Sequence, residues 1–426
     1  MTPMNKESDL SVDGLMRHLN ASVSPAHSVE YSATRLREAG LIETSLARLN
    51  EGLPAAGFIA DAGLLLAWRL PQQKVRQFRI VGAHTDSPCL KVKPLPDSGS
   101  FNWKQIGVEV YGGILNNSWL DRDLGLAGRV VLTDGTVKNV RVDQAIARIP
   151  QLAIHLDREV NDRGLVLDRQ VHLAPIWGLG QYQPGEFAEF IAEQISSSVN
   201  DISFWDIALF DLTPASLLGH DQSLLTSGRL DNQVSCWAAT EGLIAASASE
   251  QSFNTASVIA LFDHEEVGSE STHGASGPRL AWLLEALHGS TRSEFHEALS
   301  RSHCISADNA HAIHPNYPDR HEPAHRPTPN LGPVLKVNAN QRYATSAESA
   351  AVFLQTCDRA GVPHQVFVSK NSMPCGTTIG PITSTQLGIP TVDVGVAQLS
   401  MHSARELCGA KDPAMLAKVI AQYFAV

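Results

Sequence analysis

Three apolar runs in this chain end abruptly on ionisable residues, and no other feature limits its fold so strongly. Val258 to Phe262 runs into Asp-His-Glu-Glu, which puts the adjacent Glu265 and Glu266 just before a turn at Gly268. Phe78 to Ala83 ends at His84, and Cys304 to Ala307 ends at Asp308. Short apolar runs bounded by turn residues fit strands buried on both faces. Ionisable residues placed directly after such strands point to a site on one edge of a sheet.

The surrounding pattern says which kind of sheet. After residue 229 helices and strands alternate. An amphipathic helix through Val234, Trp237, Ala238, Ile244, Ala245 and Ala248 precedes the strand that ends at the Glu pair. A helix around 278–300, the strand Cys304 to Ala307, a helix around 346–360 and strands Gln365 to Val368 and Thr391 to Val396 follow. Asp412-Pro413 then opens a terminal helix, with Asp as N-cap and Pro at the first position. This alternation predicts an α/β fold, a mostly parallel sheet covered by helices.

The first 50 residues read as helical, with Leu15, Met16 and Leu19 on one face and a second helix from about Ser32 to Ala39 stopping at Gly40. Strands follow at Gly63 to Leu70 and Phe78 to His84. From about 91 to 228 the texture changes to short alternating runs split by turns such as Asp134-Gly135, an antiparallel pattern with one helix near Gly185 to Ser197. The 426 residues exceed what one compact core usually holds. The expected division is a first part of the α/β domain at 1–90, an inserted β-rich domain at 91–228 and a second part of the α/β domain at 229–426. The Pro- and His-rich stretch His311 to Pro333 reads as a long functional loop.

Composition excludes some functions. A net charge of −11 without a basic patch argues against nucleic acid as a partner. No apolar stretch approaches the ~20 residues of a membrane span. The N-terminus lacks the basic start and apolar core of a secretory signal. The six cysteines are scattered without a Cys-x-x-Cys pair, which fits reduced thiols in the cytoplasm and leaves any metal to His and carboxylate ligands.

Taken singly, each candidate has an ordinary reading: Asp231 in SGRLDNQ as a helix cap, the Glu pair as solvated surface, His402 in QLSMHS as a loop residue. Taken together, His84, Asp231, the pair Glu265 and Glu266, Asp308 and His402 come from five separate segments that all reach the same rim. Burying so many ionisable groups without a cation would be costly. A set of this kind suits two metals sharing a bridging carboxylate, zinc first, with manganese or cobalt as alternatives. Asp86, two residues after His84, is placed to fix the imidazole's tautomer.

The segments VGAHTDSPCLKVKP, SGRLDNQVS, FDHEEVGSES, SADNAHA, KVNANQRYAT, PCGTTIGPI and SMHSARE, in that order over nearly the whole chain, resemble the aspartyl aminopeptidase family of dinuclear metallopeptidases. The resemblance implies a zinc-peptidase fold and His84, Asp231, Glu266, Asp308 and His402 as metal ligands, with Asp231 bridging. It implies Glu265 as general base and Asp86 as the group orienting His84. It also implies an insert used for dimer contacts and a hollow tetrahedral dodecamer. His155 matches a residue that reaches a neighbouring subunit's site, either touching substrate or ligating metal. His311, Lys336 and Tyr343 match substrate-contacting positions. The family often carries Arg-Asn-Asp before its Cys-Gly-Thr-Thr loop, where this chain has Lys370-Asn371-Ser372.

The expected activity is removal of N-terminal Asp or Glu from peptides, with Glu265 taking a proton from the attacking water and Lys336 pairing with the acidic side chain. A broader aminopeptidase, an amide deacylase and a non-catalytic shell-forming carrier are the alternatives. The intact Glu265 beside a full ligand set argues against the carrier.

Overall fold

A computed structural model describes residues 8–246 and 254–425. The opening residues, read above for the absence of a signal, and Ala248 of the amphipathic helix lie outside the described residues.

The eight positions of the strand Thr255–Phe262 are all buried, which explains why its sequence lacks alternation. This strand sits inside a nine-stranded mixed sheet, beside Gln77–His84, and the register pairs Phe262 with His84. His303–Ala307 and Thr391–Gly395 extend the parallel block in the same direction. Four neighbouring strands therefore end on one edge, and that edge carries His84, the Glu pair and Asp308.

Both faces of the sheet are covered by helices. One face holds Val12–Ala21, Pro25–Glu38, Leu230–Ala246, Ala347–Ala360 and Asp412–Phe424, packed through Leu15, Leu36, Trp237, Phe353 and Tyr423. The other holds Arg279–His288, Arg292–Ser300 and Ile379–Leu387, packed through Leu283, Phe295 and Ile379. The mostly parallel α/β layout expected from the sequence is present. Antiparallel neighbours enter towards both ends, at Leu64–Arg69 and at Val334–Val337.

A second, wholly antiparallel sheet has six strands in the order Val137–Ala147, Leu124–Leu132, Ile202–Asp211, Cys89–Ser100, Trp103–Tyr111 and Ile176–Leu179. It has its own core around Leu90, Ile106, Leu126 and Phe187. A third sheet joins Ser216–Leu218 and Leu224–Ser227 to Glu406–Gly409, Ala397–Leu399 and Ala310–His311. The stretch 216–227 thus pairs with the C-terminal part of the chain, because the buried Leu225 and Cys408 face each other in this ladder.

Other differences from the sequence reading are local. The helix expected around 278–300 is two helices, broken at Gly289 with φ of 62° and restarted by a capping box on Thr291 and Glu294. Asp412 lies inside the terminal helix instead of capping it, and its carboxylate accepts from the backbone N–H groups of Asn330 and Gly332 at 2.6 and 2.9 Å. That contact ties the end of the long loop to the helix. Among the described residues no helix is long and apolar enough to cross a membrane, and all six cysteines are unpaired.

Leu261 is fully buried in the central strand, between the two helical layers. Leu261→Ala should lower unfolding free energy by about 2–5 kcal/mol in urea denaturation, the usual loss for a buried leucine in a tight core.

Candidate metal centre

Each ionisable residue reaches the sheet edge for a local reason. His84 is the last residue of its strand, and Asp86 follows in an irregular segment. Glu265 and Glu266 lie in a single 3-10 turn that begins after His264, whose φ of 63° bends the chain across the strand end. Asp231 sits at the start of Leu230–Ala246, but its ψ of 105° is not helical. A non-helical ψ is usual for a cap, but Asp231 Oδ1 has no hydrogen-bond partner and Oδ2 lies 3.5 Å from His402 Nε2, so the carboxylate does not serve the helix N–H groups. Its carboxylate faces two imidazoles. His402 has φ of 67° in the loop between Ala397–Leu399 and Glu406–Gly409.

The distances define a compact cluster. His84 Nε2 lies 3.3 Å from Asp231 Oδ1, 3.7 Å from Asp308 Oδ1 and 4.0 Å from Glu265 Oε2. His402 Nε2 lies 3.5 Å from Asp231 Oδ2 and 3.4 Å from Glu266 Oε2. Asp231 thus presents one oxygen to each histidine. The other ring nitrogens are engaged elsewhere: His84 Nδ1 lies 3.1 Å from the Asp86 carbonyl and 3.4 Å from its carboxylate, and His402 Nδ1 lies 3.1 Å from the Gly113 carbonyl. Those contacts favour the tautomers that leave both Nε2 atoms free to ligate.

Supporting groups complete the frame. The Asp86 carboxylate accepts from the backbone N–H groups of Glu265 and Glu266, each at 3.1 Å, and from the Tyr111 hydroxyl at 2.7 Å. Glu406, buried, accepts from the N–H of Asp231 at 2.9 Å and of His402 at 2.7 Å. Sequence reasoning missed Tyr111, Gly113 and Glu406. Glu406 stands four residues after His402 in the motif SMHSARE, so a signal existed for it. Tyr111 and Gly113 arrive from the six-stranded sheet, and no local pattern marks them.

The electrostatics follow from crowding. Burial, assisted by Asp308, Asp86 and Asp231 against the pull of His84, pushes the Glu265 carboxyl up to about 8. Burial and then Asp231 push Glu266 well above its usual range. Asp231 goes the other way: burial opposes ionisation, but His402 and His84 together hold its carboxyl far below the ordinary range. Burial alone would lower His402, yet Asp231 and Glu266 raise it to about 10.

The residues fit a divalent cation. Asp231 Oδ1 and Glu266 Oε1 are buried without a hydrogen-bond partner, although buried carboxylate oxygens normally have one. Among the described residues, His84, Asp231 and Glu266 offer ligand atoms within 4.8 Å of one another. Two imidazoles among carboxylates is a donor set that suits zinc.

The remaining expected residues divide. Lys336, 2% exposed, pairs with Asp308 at 3.4 Å and donates to the Asn309 carbonyl at 3.2 Å, with its ammonium 4.9 Å from the Tyr343 ring centroid. His311 and Tyr343 line an adjoining cavity of about 270 Å³, together with Arg320, His321 and Lys370. His155 is exposed on a short 3-10 turn at Ile154–Leu156, and among the described contacts nothing joins it to the centre of its own chain.

Comparison with known proteins bears on this site. The family described as aminopeptidase I zinc metalloprotease (M18) matches residues 18–424. A probable M18 family aminopeptidase 2 of Streptomyces coelicolor is 47% identical over 96% of each chain. Among solved structures, the cryo-EM complex of Ape4 and Nbr1 holds a chain with TM-score 0.92 and 32% identity, covering 97% of this chain and 85% of that one. The mApe1 dodecamer of S. cerevisiae gives TM-score 0.84 at 25% identity, covering 97% and 96%.

A raised histidine holds its proton in the metal-free protein below its pKa, and ligation requires the neutral ring. With His402 at about 10, zinc uptake at neutral pH should expel protons, and apparent zinc affinity should strengthen as pH rises. A pH-indicator titration in weak buffer reads both. Uptake without proton release would show that His402 is not displaced from its protonated state.

Proposed function

The chain belongs to the aminopeptidase I zinc metalloprotease family, and we propose that it removes acidic residues from peptide N-termini by means of two divalent cations. Membership makes it a metal-dependent aminopeptidase, a hydrolase of peptide bonds. The observation that carries the two-cation reading is the split of Asp231, one oxygen towards His84 and the other towards His402. In this reading His84, Asp231 and Asp308 surround one cation, zinc first with manganese or cobalt as alternatives. Asp231, Glu266 and His402 surround the other. Bound there, the cations would polarise the substrate carbonyl and lower the pKa of the attacking water.

The protein's own groups do the rest. Glu265 takes the proton from water and passes it to the leaving amine, since its carboxyl is mostly buried and faces the cluster without serving the histidine tautomers. Asp86 holds His84 through Nδ1 and holds the Glu265–Glu266 turn through two N–H groups. Tyr343 and His311 contact the substrate from the cavity wall.

Preference for an acidic residue draws on the cavity's charge. Lys336 is paired with Asp308, which offsets its charge, and the cations lining the cavity are Arg320 and Lys370, with Glu322 beside them.

We further read the insert, expected at 91–228 but with its own sheet ending at Asp211, as the oligomerisation element of a tetrahedral dodecamer, with His155 completing a neighbour's site. The exposed Leu152, Ile154 and Leu156 around His155 support a buried role in an assembly, as does likeness to a dodecameric structure. The unpaired cysteines support a reducing, cytoplasmic setting.

Two assays test this reading. Glu265→Gln should keep its zinc and lose about 10²- to 10⁴-fold in kcat, the range for a general base. Full turnover by that variant would remove Glu265 from the role. For specificity, charge pairing of about 2 kcal/mol corresponds to about 30-fold in kcat/KM for aspartyl over leucyl amides. Equal values on the two substrates would mark a broader aminopeptidase.

A further inference from the structure

The turn after Trp103–Tyr111 in the six-stranded sheet is separated from His84 by the whole strand Cys89–Ser100, yet it enters the centre. The strand Trp103–Tyr111 ends at Tyr111, and Gly112 and Gly113 follow directly. The Tyr111 hydroxyl donates to Asp86 Oδ2 at 2.7 Å. Asp86 in turn serves His84 and the N–H groups of Glu265 and Glu266, so this one hydroxyl touches the carboxylate on which three site residues depend. The Gly113 carbonyl lies 3.1 Å from His402 Nδ1, and the Leu115 N–H donates back to the His402 carbonyl at 3.0 Å. Ser118 Oγ accepts from the Ala404 N–H at 2.9 Å.

Gly112 is required by this approach, and Gly113 leaves only ordinary contact distance to His402. Gly112 has φ of +71°, and a Cβ there would stand 3.2 Å from Glu266 Cβ. A Cβ on Gly113 would meet His402 Nδ1 at 3.4 Å. The backbone therefore passes close against a glutamate and a histidine whose side chains meet on the Oδ2 side of Asp231. Tyr111 is held from behind, with Lys91 Nζ 4.5 Å from its ring centroid.

We propose that the turn Tyr111–Gly113 is a positioning element for both cation subsites, acting through Asp86 on His84 and through the Gly113 carbonyl on His402. Both histidines then owe their orientation to the same turn, and the antiparallel sheet is mechanically part of the metal centre. Any displacement of that sheet would loosen both subsites together. This inference rests on the two-cation reading above.

The test measures zinc binding by the full-length, metal-stripped protein in competition with a chromophoric chelator, without any assay of turnover. Tyr111→Phe keeps the ring against Lys91 and removes only the hydroxyl. Its zinc affinity should fall by about 10- to 100-fold, the usual effect of losing a partner behind a ligand. Asn139→Ala is the control. Asn139 Nδ2 donates to Glu30 Oε2 at 2.8 Å, a contact between the same sheet and the helix Pro25–Glu38 that lies outside the centre. Its zinc affinity should match the parent protein. Gly112→Ala crowds Glu266 by a separate route and carries the same expectation as Tyr111→Phe if the phenylalanine variant does not fold. Unchanged affinity in the turn variants, or equal loss in Asn139→Ala, overturns the positioning role while the parent still binds two zinc ions. A parent protein that binds fewer than two overturns the two-cation reading, and this inference with it.

Discussion

The structure is organised around an electrostatic problem: five carboxylates and two imidazoles share one sheet edge, mostly out of water. Asp86, Asp231, Glu265, Glu266 and Asp308 would repel one another strongly if all were ionised at these separations. Isolated buried charge is not tolerated, so each group must be paired, protonated or bound to a cation. The neighbourhood answers group by group. Asp86 receives three hydrogen bonds, Asp308 has Lys336, and Asp231 has two imidazoles. Glu266 and Glu265 are left over, and burial drives their protons on. Those leftover groups are the ones whose chemistry a bound cation would restore.

The same constraint explains why the frame around the cluster is rigid. Glu406 binds the backbone of Asp231 and of His402, so the segments carrying these two residues cannot shift separately. Asn309 links Leu230, Gln398 and, through its carbonyl, Lys336. These side chains are buried and already bound to backbone groups, so the frame is set beforehand and little entropy is lost when a ligand binds.

What could be read from the sequence follows from how local each cause is. The ends of Gln77–His84, Thr255–Phe262 and His303–Ala307 were legible because an apolar run and its terminating residue are neighbours in the chain. Asp231 was harder, because an Asp at a helix start has an ordinary use as a cap, and nothing local in the chain shows that its carboxylate meets two histidines. The strand Val334–Val337 was missed: it is four residues long, follows a proline and contains a lysine whose burial is justified only by Asp308 across the fold. Tyr111 and Gly113 reach the site from another sheet and could not have been found by periodicity. Lys336 was placed near the site by resemblance, but its partner is a carboxylate of the protein itself, a pairing that only three-dimensional proximity reveals.

Backbone conformation adds a last step. His264 and His402 both adopt left-handed φ, at 63° and 67°, a region that non-glycine residues enter at some energetic cost. One stands immediately before the Glu pair and the other is itself a candidate ligand. Each is held by contacts that do not involve the cluster's charges: His264 Nδ1 lies 2.8 Å from Ser271 Oγ, and the His402 backbone is bound on both sides by Leu115 and Glu406. The turns are thus imposed by packing from the flanks, and the ligands inherit their directions from them. That arrangement lets the carboxylates stay close despite their repulsion, because the surrounding fold, and not any attraction within the cluster, determines where they stand.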